Sequence, residues 1–173
     1  GLGLRVGEVV RLNVGDVDLG RDTLFIRETK FGKSRIVPFG TKLRQRLRSY
    51  IQRVHGETPD LSLPLFSFRK TDRIREGTIS ITFHDLVPKL GLNIPPGVAR
   101  PRLHDLRRAF AVRTLLRWYR KGIDPNRRLI HLSTFLGHVD PDSTAVYLTI
   151  TEDLLREADM RSRALVPREV PHD

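Results

Sequence analysis

Two short runs rich in β-forming residues, Leu24-Phe25-Ile26-Arg27-Glu28 and Ser34-Arg35-Ile36-Val37-Pro38, flank the loop Thr29-Lys30-Phe31-Gly32-Lys33. Strand, short Gly-containing loop and strand together read as an antiparallel hairpin. Almost all other hydrophobic periodicity in the chain is helical, so the hairpin confines the fold to a mostly helical α+β class. Helices are predicted over Val6 to Leu12, Thr41 to Val54, and Thr78 to Leu90 with Thr78 as its cap. The helix His104 to Lys121 ends at Gly122, and Pro125 opens the next, which stops at Gly137. A short helix capped by Asp140-Pro141 runs through Tyr147, and Thr151 to Arg163 forms a final amphipathic helix. Leu65 to Phe68 reads as a further strand, giving a hairpin or three-stranded sheet at one edge. Residues 1–163 are expected to form one domain, with 164–173 as a trailing tail.

Charge narrows the partner. The 173 residues carry 31 Lys and Arg against 20 Asp and Glu, a net charge of +11. The excess is local: Arg100 to Arg128 holds ten basic and two acidic residues. A basic stripe of that kind suits a phosphate-facing surface, because cations that neutralise phosphates release counterions. The bland alternatives are a solvated basic face or an anionic membrane surface as partner. No stretch approaches the roughly 18 apolar residues of a membrane span, and the local basic stripe favours a phosphate-facing surface, so no membrane partner is expected. With no cysteine, the chain has no disulfide, thiolate zinc site or thiol nucleophile. A soluble intracellular (cytoplasmic) protein with an anionic partner is the expectation.

Several familiar catalytic patterns are absent: there is no P-loop, no H-E-x-x-H and no G-x-S-x-G. His131 and His138 lie seven apart without a carboxylate set beside them, so no metal or other cofactor is expected. What remains is an ordered set of cations, two histidines and a tyrosine. Arg5 stands in G-L-R-V-G-E, Lys30 in the hairpin loop, His104 and Arg107 in H-x-x-R, His138 in L-G-H, and Tyr147 nine residues later in A-V-Y-L. Singly each is ordinary. Arg5 beside Glu8 at i,i+3 reads as a surface pair contributing about 0.2–0.5 kcal/mol.

Their joint order resembles the tyrosine recombinases, or phage-integrase family. GLGLRVGEVVRLNVGDVDL is similar to that family's first motif, TKFGKSRIVPF to its hairpin, LHDLRRAFA to its central helix and LSTFLGHVDPDSTAVYLTI to its last motif. The likeness extends from residue 1 to about 160. It implies a recombinase catalytic-domain fold and a reaction in which DNA is broken and rejoined through a 3′-phosphotyrosyl link. Arg5 and Arg107 would clamp the scissile phosphate, a geometry that guanidinium groups match. Tyr147 would be the nucleophile. A phenol has a pKa near 10, so only about a thousandth is ionised at pH 7, and the neighbouring cations would lower that cost. Lys30 would protonate the departing 5′-oxygen. Lys33 shares the same hairpin, and the family pattern favours the first lysine. His104 would accept a proton or bind phosphate, and His138 would hydrogen-bond the phosphate. Glu8 and Asp105 would orient Arg5 and the central helix, or else form surface pairs.

The resemblance also implies double-stranded DNA as partner, a tetramer on two duplexes, and docking of the last helix on a neighbouring subunit. Family members carry a DNA-clamping domain before the first motif, so a truncated catalytic domain is expected here, with core surface left uncovered. Two other readings stay open: a type IB-like topoisomerase, and an inactive or DNA-binding remnant.

Overall fold

A computed structural model describes residues 1–27, 32–69, 71–138, 140 and 142–165. The chain divides into two compact units, one of Gly1–Phe110 with Phe135–Gly137, the other of Ala111–Thr134 with the chain from His138 onward.

In the first unit a six-residue helix α1 (Val6–Arg11) leads through a 3₁₀ turn (Val14–Asp16) into a sheet. Three strands, β1 (Val17–Asp18), β2 (Thr23–Ile26) and β3 (Arg35–Pro38), pair antiparallel in the order β1-β2-β3. Leu24 pairs with Val37 and Phe25 with Ile36. The pleat sends alternate residues to opposite faces, so Leu24, Ile26 and Val37 are buried while Phe25 and Ile36 are exposed on the other face. The third strand is thus β1. The expected strand over Leu65 to Phe68 does not form. That segment is fixed instead by isolated bridges, Asn13 to Pro64 and Ser67 to Arg73, and by Leu65 N–H donating to the Leu12 carbonyl at 2.8 Å.

Helix α2 (Thr41–His55) lays Leu47 and Ile51 against the sheet residues, and Leu12, Val14, Phe39 and Leu65 complete the core. Each such aliphatic or aromatic side chain contributes about 1.5–3 kcal/mol by leaving water. Helix α3 (Glu76–Leu86) starts two residues before the expected Thr78, with Arg75 at its N-cap and no side-chain cap bond. It gives way to a 3₁₀ turn, Val87–Leu90, where Pro88 cannot supply the α-helical N–H.

Helix α4 (Asp105–Arg120) matches the expected central helix to within a residue at each end, and Gly122 beyond it has φ +65°. After a 3₁₀ turn (Asn126–Arg128) comes α5 (Leu129–Leu136), which stops at Gly137 with φ +69°. The two separate helices expected near the C-terminus are one, α6 (Asp142–Leu165). The Asp140 carboxylate accepts the Asp142 N–H at 3.0 Å and starts it. Nothing in Leu148-Thr149-Ile150 interrupts it, since none is Gly or Pro. Ala164 and Leu165, expected in the tail, are helical; residues 166–173 lie outside the described residues. Leu154 and Leu155 on α6 are exposed. Among the described residues no helix is long and apolar enough to cross a membrane.

Candidate active site

Arg5 is the N-cap of α1, with extended backbone (φ −70°, ψ 147°). Glu8, three residues on, reaches back to accept the Arg5 backbone N–H at 2.9 Å and its Nη1 at 3.0 Å. This is half of a capping box, and it fixes where the Arg5 side chain leaves the helix. Glu8 is only 3% exposed, so it is no surface pair. Its carboxylate also takes both terminal nitrogens of Arg35, at 3.0 and 2.9 Å, and so accepts four hydrogen bonds. Burial alone would raise the Glu8 pKa, but the bonds and charges of Arg35 and Arg5 outweigh it and hold the carboxyl below its ordinary value.

Three guanidinium groups of this unit end on the carbonyls that close α5. Arg35 Nε donates to Phe135 O at 3.0 Å, Arg5 Nη2 to Gly137 O at 3.0 Å, and Arg107 Nη2 to Leu136 O at 2.7 Å. Arg5 Nη1 also approaches Leu136 O, at 3.5 Å. Arg107 is 3% exposed and donates through Nη1 to Gly3 O at 2.7 Å. The last carbonyls of a helix are its negative end and lack intrahelical partners, so cations are stabilised there. Gly3 and Gly137 both have positive φ, and the Phe110 ring and the Arg35 guanidinium occupy the space a Cβ would need. Arg5 and Arg107 are therefore positioned by main chain.

His104 lies one residue before α4, and its carbonyl accepts the Arg107 N–H at 3.0 Å. The residue is exposed overall. Partial desolvation, then the charges of Arg107 and Arg108, hold its imidazole below the usual value, against the opposing pull of Asp105. Asp105 accepts the Arg102 N–H at 2.8 Å and forms looser pairs with Arg102 and Arg108 at 3.5 and 3.9 Å. It ties down the turn that leads into α4 and pairs at the surface. Lys30 lies outside the described residues, between β2 and β3; Lys33 is exposed.

The second unit holds His138 and Tyr147. The His138 N–H donates to Ser133 O at 3.0 Å, a bond that reaches back over the left-handed Gly137 and closes the end of α5. Its Nδ1 lies 2.6 Å from Thr144 Oγ1. Tyr147, one turn beyond Thr144 on α6, is 7% exposed and stacks on His138, with ring centroids 6.4 Å apart and 23° between planes. Thr151 Oγ1 donates to the Tyr147 carbonyl at 2.7 Å. Thr144, Tyr147 and Thr151 form one buried face of the helix.

The structure thus groups Arg5, His104 and Arg107 in the first unit, and His138 and Tyr147 in the second. Sequence reasoning missed Arg35 and Thr144. Arg35 had one signal: it is two residues from Val37 on a strand, hence on the same inward face, where a cation needs a buried carboxylate. The basic segment Arg100 to Arg128 is also less uniform than expected. Arg107 is buried, and Arg102, Arg108 and Arg127 pair with aspartates.

The chain matches the description "Phage integrase family" over residues 1–153. It is 43% identical over 161 residues to a putative integrase/recombinase, y4rB, of Sinorhizobium fredii, covering 92% of this chain and 51% of that protein. Over 165 residues it is 29% identical to the tyrosine recombinase XerA of Pyrococcus horikoshii, covering 95% and 52%. The chain therefore spans about half the length of the curated relatives it matches. Its fold is similar to the crystal structure of XerA recombinase, with TM-score 0.68 and 30% identity over 96% of this chain and 54% of that one. Motif order, the three-stranded sheet with its helices, and these matches agree: the chain belongs to the phage integrase family, the tyrosine recombinases.

Proposed function

We propose that this chain is the catalytic part of a site-specific DNA recombinase or integrase that cleaves and rejoins strands through a 3′-phosphotyrosyl intermediate. The observation that carries the reading is the convergence of Arg5 and Arg107 on Leu136 O, which holds two guanidinium groups within one hydrogen-bond shell of a single atom. Anchors on main chain cost nothing to reorganise when charge develops on a phosphate, which is where such donors act most strongly. Arg5 retains a side chain about one-third exposed (34%), the edge from which an anion would approach.

In this reading the Tyr147 hydroxyl attacks the scissile phosphorus and the bond to the 5′-oxygen breaks. Lys30 gives that oxygen a proton, and His104 takes the tyrosine proton. The depressed His104 pKa suits the latter role, because the ring is neutral and basic near pH 7. A Thr144 hydroxyl that donates to His138 Nδ1 puts the ring proton on Nε2, the form that donates to a phosphate oxygen. Since Tyr147 is buried, its phenol must move from this position before attack. Structures of similar fold, such as the Tn1549 transposon integrase in complex with transposon right end DNA, support a DNA partner.

A library of nicked duplexes with randomised cores tests this directly. The protein should form a covalent adduct with a recoverable subset, and Tyr147→Phe should abolish it. Adduct formation that survives Tyr147→Phe, or no adduct from any core, overturns the assignment.

A further inference from the structure

Helix α2 presents a face that the reaction does not use. Lys42, Gln45, Arg46, Ser49, Gln52 and Arg53 are all exposed, and at 100° per residue they fall on one side of the helix. Every one can donate a hydrogen bond, none is apolar, and no acidic residue occurs anywhere between Glu28 and Glu57. A merely solvated helix face usually mixes both signs in i,i+4 pairs. Several arginines elsewhere on the surface find local carboxylates, Arg21 with Asp18, Arg102 and Arg108 with Asp105, and Arg127 with Asp124. The cations on the other side of α2 behave likewise, for Arg44 pairs with Asp22 and the charge of Arg48 bears on the same carboxylate. Among the described residues no ion pair involves Lys42, Arg46 or Arg53. Arg53 lies over the Tyr50 ring at 5.9 Å, which restrains it at the edge of the face.

We propose that this face of α2 is a second duplex-binding surface, distinct from the residues assigned to strand cleavage, that grips the phosphate backbone of DNA without reading its sequence. Along the axis Lys42 and Arg46 are about 6 Å apart, and Arg46 and Arg53 about 10 Å. One strand offers a phosphate every 3.4 Å or so of duplex axis, so the stripe spans several phosphates and each cation can take its own. The interleaved Gln and Ser side chains supply neutral donors to the same oxygens. A membrane is the poorer match, because the six exposed residues of the face include no apolar side chain to enter it, and Tyr50 at its edge is half-buried beneath Arg53.

The inference rests on DNA being the partner, and the test separates the two. Binding of the wild-type chain to a labelled random-sequence 30-base-pair duplex is measured across a potassium chloride series. Lys42→Gln/Arg46→Gln/Arg53→Gln is compared with a control of equal charge change, Arg21→Gln/Arg69→Gln/Lys89→Gln. Melting curves followed by circular dichroism confirm that both variants fold. Losing three phosphate contacts should reduce the slope of log K against log salt by about 2–3 for the α2 variant, against a smaller change for the control. Arg46→Gln alone should lower it by about 1. Equal slopes in wild type and the α2 variant, or equal losses in variant and control, overturn the proposal and leave the recombinase reading standing. So does loss of binding to vesicles with one-third anionic lipid while the duplex slope is unchanged. A wild-type chain with no salt-dependent duplex binding sinks the DNA reading itself.

Discussion

Arg35 and Arg127 each stand against a carboxylate, yet their surroundings make them different objects. Arg35 meets a Glu8 that is 1% exposed at the side chain and delivers two bonds of 2.9–3.0 Å, while its third nitrogen takes a helix-end carbonyl. Arg127 meets Asp124 at 3.6 Å, with side chains 87% and 49% exposed. In water such a pair contributes little, because solvent screens it and ordering two long side chains costs entropy. In the interior the pair is nearly neutral against a well-packed apolar alternative, but breaking it strands a charge out of water. The Glu8 cluster is therefore best understood as a positioning device. Its carboxylate is fixed on four sides, and Arg5 inherits that fixity.

The largest effect that would break this contrast is at Glu8. Glu8→Ala should cost about 3–5 kcal/mol in urea unfolding, by leaving Arg35 buried without its anion. The Glu8 pKa is lowered in the folded state, so its contribution is full above the ordinary carboxylate value of 4.5 and fades as pH falls through the native one. The gap between wild type and Glu8→Gln should therefore shrink on acidification below that value; a constant gap would show that the charge is not what matters. Gly137→Ala comes next, at about 1–2 kcal/mol for a left-handed backbone alone, with further loss from pushing Arg35 off Phe135 O. Its check is the same unfolding curve. Asp124→Asn should change stability by less than about 1 kcal/mol, and in 1 M salt the difference should vanish, as the Glu8 difference should not. The smallest effect is at His104. Its NMR titration midpoint should fall below 6.5, and Arg108→Gln should raise it without moving the melting temperature. A midpoint above 6.5 would mean that Asp105 dominates the local field.

Motif order picked out Arg5, His104, Arg107, His138 and Tyr147 as candidates, and the hairpin showed itself because β-forming residues flank a short Gly-containing loop. Local rules also placed the helix stops at Gly122 and Gly137. They failed where distant partners decide. Leu65 to Phe68 has strand-like composition but no ladder to join, so it is held by single bridges. The break expected between Tyr147 and Thr151 rested on a weak local pattern, and α6 runs through it.

Residue order by itself determined the family and the helix-rich class with one small sheet. Only the tertiary structure decided which of the many arginines are sunk on carbonyl oxygens and which face water. It also decided that Glu8 serves Arg35 as well as Arg5. The physical reason is that an arginine's role follows from desolvation and from acceptors up to 132 residues away in sequence, and a linear pattern encodes neither.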